Sequence, residues 1–242
     1  MKSPRLRADR LLVERGLFES RAKAQAAIEA GLVTADDRPL RKPSDEVAAD
    51  AILHAAPAHP YVSRGGQKLA AALDHFGFDA RDRVCLDVGA STGGFVQVLL
   101  KRGARRVYAV DVGRAQLHPS LRGRSDIVSL EETDIRRLDR LPERPDLLTI
   151  DVSFISLKHV LPAALALTAR PAQLVALIKP QFEVGRSGSK KGIVRDAQAQ
   201  AAVCDDIAAS VASLGGTIAG IIPSPILGGD GNREFLLGAT LT

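Results

Sequence analysis

RVCLDVGASTGGF, residues 83–95, decides how this chain folds. An apolar run interrupted by one carboxylate, Asp87, gives way to a turn that holds Gly89, Gly93 and Gly94. The stretch TGGFVQVLLKRG that follows has helical spacing. Strand, glycine turn and helix in that order make a βα unit whose backbone can approach a ligand closely. The spacing is not G-x-G-x-x-G, so it does not spell the dinucleotide fingerprint.

Outward from this unit the pattern repeats. RVYAVDVG, DIVSL, DLLTIDVS and QLVALIKP read as strands, and RGGQKLAAALDHFG, LKHVLPAALALTA and DAQAQAAVCDDIAASVASLG read as helices. Such alternation predicts an α/β fold with a mostly parallel sheet covered on both faces. TIAGIIPSP and REFLLGATL follow one another with no helix between them, which predicts an antiparallel end to a seven-stranded sheet.

Carboxylates recur at the strand ends. Asp87 precedes the glycines, where it suits a ligand with a cationic amino-acid end better than a pyrophosphate. Asp111 ends YAVD, where a carboxylate can accept hydrogen bonds from ribose hydroxyls. Asp134, in EETDIRRL, is placed to meet an adenine amino group. Ser91 and Phe95 lie in the same glycine turn and complete the expected cofactor set. Acid, glycine loop, acid and acid fit S-adenosylmethionine better than NAD, and the fold expected is the Rossmann-like methyltransferase fold.

Four more polar groups sit where burial is costly. Lys68 lies in SRGGQKL, Asp151 ends TIDVS, Lys179 ends the apolar run LVALIK, and Glu234 opens REFLL. In an open parallel sheet ligand chemistry collects at the carboxyl ends of strands, so Asp151 and Lys179 should face the glycine loop. Lys179 could serve as a base, if burial and Lys68 draw its pKa toward neutrality, or as a cation that stabilises a developing alkoxide.

The chain begins differently. RADRLLVERGL and SRAKAQAAIEAG read as two short helices closed by Gly16 and Gly31, the second capped by Ser20. Short strands follow. Residues 1–25 carry seven Lys/Arg (2, 5, 7, 10, 15, 21, 23) against three acids (9, 14, 19), a surface suited to phosphate. AAPAHPYV, with two prolines, reads as a linker. The expected division is a small α/β domain over 1–55, a linker over 56–63 and the large domain over 64–242.

The whole chain of 242 residues carries a net charge of +5 and has no Trp, two Tyr and seven Phe. The charge leans toward a polyanionic partner, and the scarcity of aromatics argues against base stacking as the main mode of binding. Cys85 and Cys204 have no metal-ligand spacing and read as reduced core cysteines of a cytoplasmic protein, with no metal. No secretory signal and no apolar run near ~18 residues is present, so no membrane partner is expected.

Two resemblances follow from these residues. Arg5, Asp9, Leu12, Ser20, Arg21, Ala24, Ile28, Gly31 and Val33 resemble the S4 RNA-binding domain. This implies structured RNA as a partner, with Arg5, Arg7, Arg21 and Lys23 as phosphate contacts. The runs YVSRGGQKL, LDVGASTGGF, VDVG, DVSFISL, IKPQFEVG, KKGIVRD and GNREFL are similar to the TlyA (haemolysin A) family almost end to end. Lys68, Asp151, Lys179 and Glu234 then match the K-D-K-E tetrad of FtsJ-type RNA 2′-O-methyltransferases. The resemblance implies transfer of a methyl group from S-adenosylmethionine to cytidine 2′-oxygens of 23S and, for some members, 16S ribosomal RNA. The partner would be free ribosomal RNA or an assembled subunit. Arg64 and the glycine-rich loop 183–196, with Arg186, Lys190, Lys191 and Arg195, are the further RNA contacts expected.

Three other readings compete. A pseudouridine synthase would use Asp139 of RRLDRLP, but leaves the glycine loop unexplained. A membrane-active haemolysin lacks a spanning segment. A non-catalytic RNA-binding protein would have no use for an intact tetrad.

Overall fold

A computed structural model of the chain describes residues 3–184, 192–228 and 231–242. These form two compact units, Met1–Pro60 and Tyr61–Thr242.

In the first unit β1 (Arg5–Arg7) leads into α1 (Ala8–Glu14), and α2 (Arg21–Glu29) follows. Ser20 caps α2, its Oγ accepting from the Lys23 amide at 3.4 Å. Gly16 (φ +70°) and Gly31 (φ +72°) end the two helices in the left-handed region. β2 (Val33–Ala35), β3 (Arg38–Pro39), β4 (Glu46–Ala48) and β5 (Leu53–Ala55) complete the unit. β1 pairs with β4, and β2 lies between β3 and β5. Leu11, Leu12, Ala24, Ala27, Ile28 and Val33 are at most 2% exposed and form its core.

The second unit opens with α3 (Gly65–Phe76), then β6 (Val84–Val88), α4 (Gly94–Lys101), β7 (Arg106–Val110) and β8 (Ile127–Leu130). The chain returns through β9 (Leu147–Ile150), α5 (Leu157–Leu167), β10 (Ala172–Ile178) and a short helix, α6 (Pro180–Glu183). It closes with α7 (Ala197–Ser213), β11 (Gly216–Pro223) and β12 (Phe235–Leu241). The seven strands form one sheet in the order β11-β12-β10-β9-β6-β7-β8. Strands β10, β9, β6, β7 and β8 are parallel, and β12 runs antiparallel between β10 and β11. The expected fold class, with its antiparallel end, is the one observed.

Apolar side chains cover both faces. Leu69, Leu73, Phe95 and Leu99 of α3 and α4 pack on one face, and Leu161, Ala164 and Ile207 of α5 and α7 on the other. Each such fully buried Leu, Ile or Phe contributes about 1.5–3 kcal/mol. At Gly238 of β12 a Cβ would lie 2.6 Å from the Phe76 ring, so only glycine lets α3 settle onto that strand. The strand order reverses between β6 and β9, and crevices at such switch points hold ligands.

Candidate active site

Three of the four predicted tetrad residues flank neighbouring strands at one edge of the sheet. Asp151 follows β9, Lys179 follows β10 and Glu234 precedes β12, with Ile178 registered against Phe235. Lys68 comes from α3. The four resolve into two ion pairs. Lys68 Nζ lies 2.5 Å from Glu234 Oε2, with the side chains only 8% and 4% exposed. Lys179 Nζ lies 2.6 Å from Asp151 Oδ1, the side chains 11% and 21% exposed. Lys179 also donates to Ser153 Oγ at 2.8 Å. Removing one partner of such a pair leaves a buried charge uncompensated, so each lysine stabilises the unit only together with its acid.

Two cavities meet here. One, about 350 Å³, is lined by Asp111, Asp134, Ile135, Asp151, Ser153 and Phe154. The other, about 240 Å³, is lined by Arg64, Lys68, Thr92, Phe95 and Asp151. Gly89, Ser91 and Asp151 belong to both. The larger falls within the ~300–1,000 Å³ usual for small-molecule sites. Asp111 Oδ2 accepts from the Ser91 amide and Oδ1 from the Gly113 amide, both at 2.7 Å. Each oxygen keeps a second lone pair for a ligand hydroxyl. Val112, 73% exposed, and Ile135 supply apolar wall, so the donor set fits a nucleoside-bearing cofactor. Asp134 is held by Arg136, whose Nη2 lies 2.6 Å from Oδ2, and that guanidinium draws the carboxyl pKa down to about 2.

The FtsJ-like methyltransferase family model matches residues 61–241, and the S4 domain model matches residues 6–53. The 16S/23S rRNA (cytidine-2′-O)-methyltransferase TlyA of Mycobacterium tuberculosis is 44% identical over 240 residues, covering 96% of this chain and 89% of the relative. A solved structure of a candidate hemolysin from Streptococcus thermophilus is 40% identical, with a TM-score of 0.78, covering 99% of this chain and 89% of that one. A candidate S-adenosylmethionine-dependent methyltransferase from Listeria monocytogenes shares the fold at 13% identity, with a TM-score of 0.55 over 72% of this chain and all of that one.

The chain is an S4-bearing FtsJ-like methyltransferase of the TlyA family.

Within the FtsJ-like domain Asp87 stands apart from the rest of the expected cofactor set. Asp87 lines neither cavity. It is fully buried in β6, where Thr149 Oγ1 donates to Oδ1 at 2.6 Å and Oδ2 has no partner among the described residues. Burial pushes its pKa up to about 7, the Thr149 hydrogen bond opposes that, and the charges of Asp151 and Asp111 add to it. Gly89 lines both cavities and Gly94 the smaller one, and the missing side chains also make room for protein. A Cβ on Gly89 would lie 2.3 Å from the Asp151 carbonyl oxygen, one on Gly93 2.4 Å from Leu121, and one on Gly94 2.2 Å from Ser63 Oγ.

One residue of the site is marked in the sequence only by lying within the run DVSFISL. Phe154 is 90% exposed, has φ +64°, and packs against Phe182 of α6 with centroids 5.0 Å apart and ring planes tilted by 51°. A bulky residue held in the left-handed region at a cavity mouth marks stored strain. Only that exposure and strain distinguish it from a core phenylalanine.

The predicted RNA contacts are placed variously. In the S4 domain Arg7 and Arg21 converge on Asp9, Arg5 pairs with Glu46 at 3.9 Å, and Lys23 pairs with Glu19. Arg64 is exposed beside Lys68, and Arg195 is exposed. Arg186, Lys190 and Lys191 lie outside the described residues. Asp139, required by the pseudouridine synthase reading, is exposed and lines neither cavity, and the FtsJ-like match leaves that reading without support. Among the described residues no helix is long and apolar enough to cross a membrane, and no cluster of three metal-ligating side chains occurs.

Proposed function

We propose that this protein methylates the ribose 2′-oxygen of a cytidine in 23S ribosomal RNA, with 16S RNA as the second substrate to test. S-adenosylmethionine is the methyl donor, and supplies a methyl group already activated on a sulfonium. The observation that carries the reading is the pair of lysine–carboxylate contacts at the sheet's edge, with Asp151 lining the cavity of nucleoside size and Lys68 the smaller one beside it.

The chain's own residues do the rest. A ribose hydroxyl is a weak acid and a poor nucleophile, so alignment in line with the methyl carbon is the first requirement, worth up to ~7–11 kcal/mol. Asp151 and Ser153 hold the Lys179 amine where the hydroxyl arrives. Lys68 and Glu234 neutralise one another and stay almost wholly out of water. Asp111 takes the cofactor ribose. Phe154 and Phe182 offer a face on which a cytosine drawn out of its helix can stack. Ribosomal RNA or an assembled subunit delivers the nucleotide, with the S4 domain holding the RNA backbone.

The test is incubation with labelled S-adenosylmethionine and separated subunits or 70S particles, followed by mapping of the label. Label on a 2′-O-methylcytidine is expected. Label elsewhere, or none, would overturn the reading. Lys179→Arg separates the two roles open to Lys179, because arginine is never deprotonated near neutral pH. Retained activity assigns the cation and rules out the base.

A further inference from the structure

Arg5, Arg7, Arg21 and Lys23 read along the sequence as independent cations, but Arg7 and Arg21 are tied together. Asp9, in the first turn of α1, is fully buried, yet it is the meeting point of three side chains. Arg7 donates from Nε to Oδ1 at 3.1 Å and from Nη2 to Oδ2 at 3.2 Å. Arg21 donates from Nε and Nη2 to Oδ2 at 3.2 and 2.7 Å. Gln25, one turn further along α2, adds a bond from Nε2 at 2.8 Å. The guanidinium of Arg7, supported by that of Arg21 and by the Gln25 amide, holds the Asp9 carboxyl well below the usual carboxylate range.

The other two candidate phosphate contacts of this domain are held differently. Arg5 and Lys23 pair with Glu46 and Glu19, acids that are 69% and 62% exposed. Such pairs are weak and exchange readily with solvent or phosphate. Asp9 cannot be displaced in that way because water does not reach it. The Arg7 and Arg21 side chains are 45% and 53% exposed, so each guanidinium still presents an edge to solvent. A guanidinium has five N–H donors, and Asp9 takes only part of each set.

We propose that Asp9 is a positioning residue for RNA binding: it fixes Arg7 and Arg21 side by side as a preset two-guanidinium fork for a backbone phosphate. The proposal rests on the reading that this protein binds RNA through its S4 domain. A fork held in advance spends little side-chain entropy on binding and offers bidentate geometry that a lone lysine cannot. The two like charges would otherwise repel and splay apart, and one shared carboxylate prevents this while leaving the cluster cationic.

The sign of one substitution tests it. Asp9→Asn removes a negative charge from a basic face, and simple charge counting then predicts tighter RNA binding. Disruption of the fork predicts the reverse. The measurement is filter binding of the full chain to purified bacterial 23S ribosomal RNA between about 100 and 300 mM KCl, where salt competes strongly with phosphate binding. Binding by Asp9→Asn should fall by about tenfold, the value of a charge-assisted hydrogen bond. The slope of log affinity against log salt should shrink by about 0.7–0.9 for each phosphate that is no longer neutralised. Arg21→Lys keeps the charge and touches a half-exposed side chain, so it decides the matter should Asp9→Asn not fold. It should weaken binding as Arg21→Ala does. Unchanged or tighter binding by the folded Asp9→Asn, or Arg21→Lys equal to the unsubstituted chain, overturns the fork. Failure of the unsubstituted chain to bind the RNA overturns the RNA reading itself, which is a different result.

Discussion

Asp87→Asn should change how stability depends on pH. The folded chain holds this carboxyl at a pKa of about 7, against an ordinary value of 3.8. An acid with a raised folded pKa keeps its proton in the native state at pH values where the unfolded chain has lost it. The native state then binds more protons, so stability falls as pH rises from about 4 to about 7 and is flat beyond. At about 1.36 kcal/mol per unit, the two units between pH 5 and pH 7 amount to about 3 kcal/mol. Asparagine cannot ionise, and its carbonyl can still accept from Thr149 Oγ1. Its amide would meet the unpartnered side of the site, a cost of about 1–3 kcal/mol that does not vary with pH. Stability of the variant minus that of the unsubstituted chain should therefore rise by about 3 kcal/mol between pH 5 and pH 8, or about 6–12 °C in Tm. The only two tyrosines, Tyr61 and Tyr108, lie in the FtsJ-like domain and there is no Trp, so tyrosine fluorescence during urea unfolding reports that domain alone. A difference between variant and parent that stays constant to within about 0.5 kcal/mol from pH 5 to pH 8 would refute the buried-acid account.

Lys179→Ala should abolish methyl transfer while cofactor affinity, measured by calorimetry, stays close to that of the parent. Single-turnover methylation by that variant would sink the assignment. Lys68→Met strands Glu234 in a buried site and should cost about 3–5 kcal/mol by urea unfolding. Adding Glu234→Gln should recover most of it, and a double variant as unstable as the single would show that the pair is not the cause. Gly89→Ala combines φ +84° with a Cβ 2.3 Å from the Asp151 carbonyl, so it should cost about 2–5 kcal/mol and displace Asp151. A variant of parental stability and activity would mean that the loop relaxes freely.

The strands and helices are legible in the sequence because their signals are local. Alternating apolar runs, Ser20 as a cap, and Gly16 and Gly31 as stops all act within a few residues, and the structure places them where the pattern does. Residue types at strand ends also point to the tetrad, since a lysine closing an apolar strand is costly unless something meets it. What meets it is not legible. Lys68 and Glu234 lie 166 residues apart, and only the packing of α3 on β12 through Gly238 and Phe76 decides that they pair with one another. The adjacency of β9 and β10 gives Lys179 to Asp151. The sequence by itself determined the α/β alternation, the antiparallel end and the kinds of chemical group at the sheet's edge, because those depend on periodicity and on connection order. Tertiary structure alone decided that Asp87 is sealed off, that protein fills the space beside the glycines, that Phe154 stands in solvent, and that Asp9 binds two arginines. Each of those depends on which distant atoms occupy the space around a side chain, and a linear pattern carries no record of that.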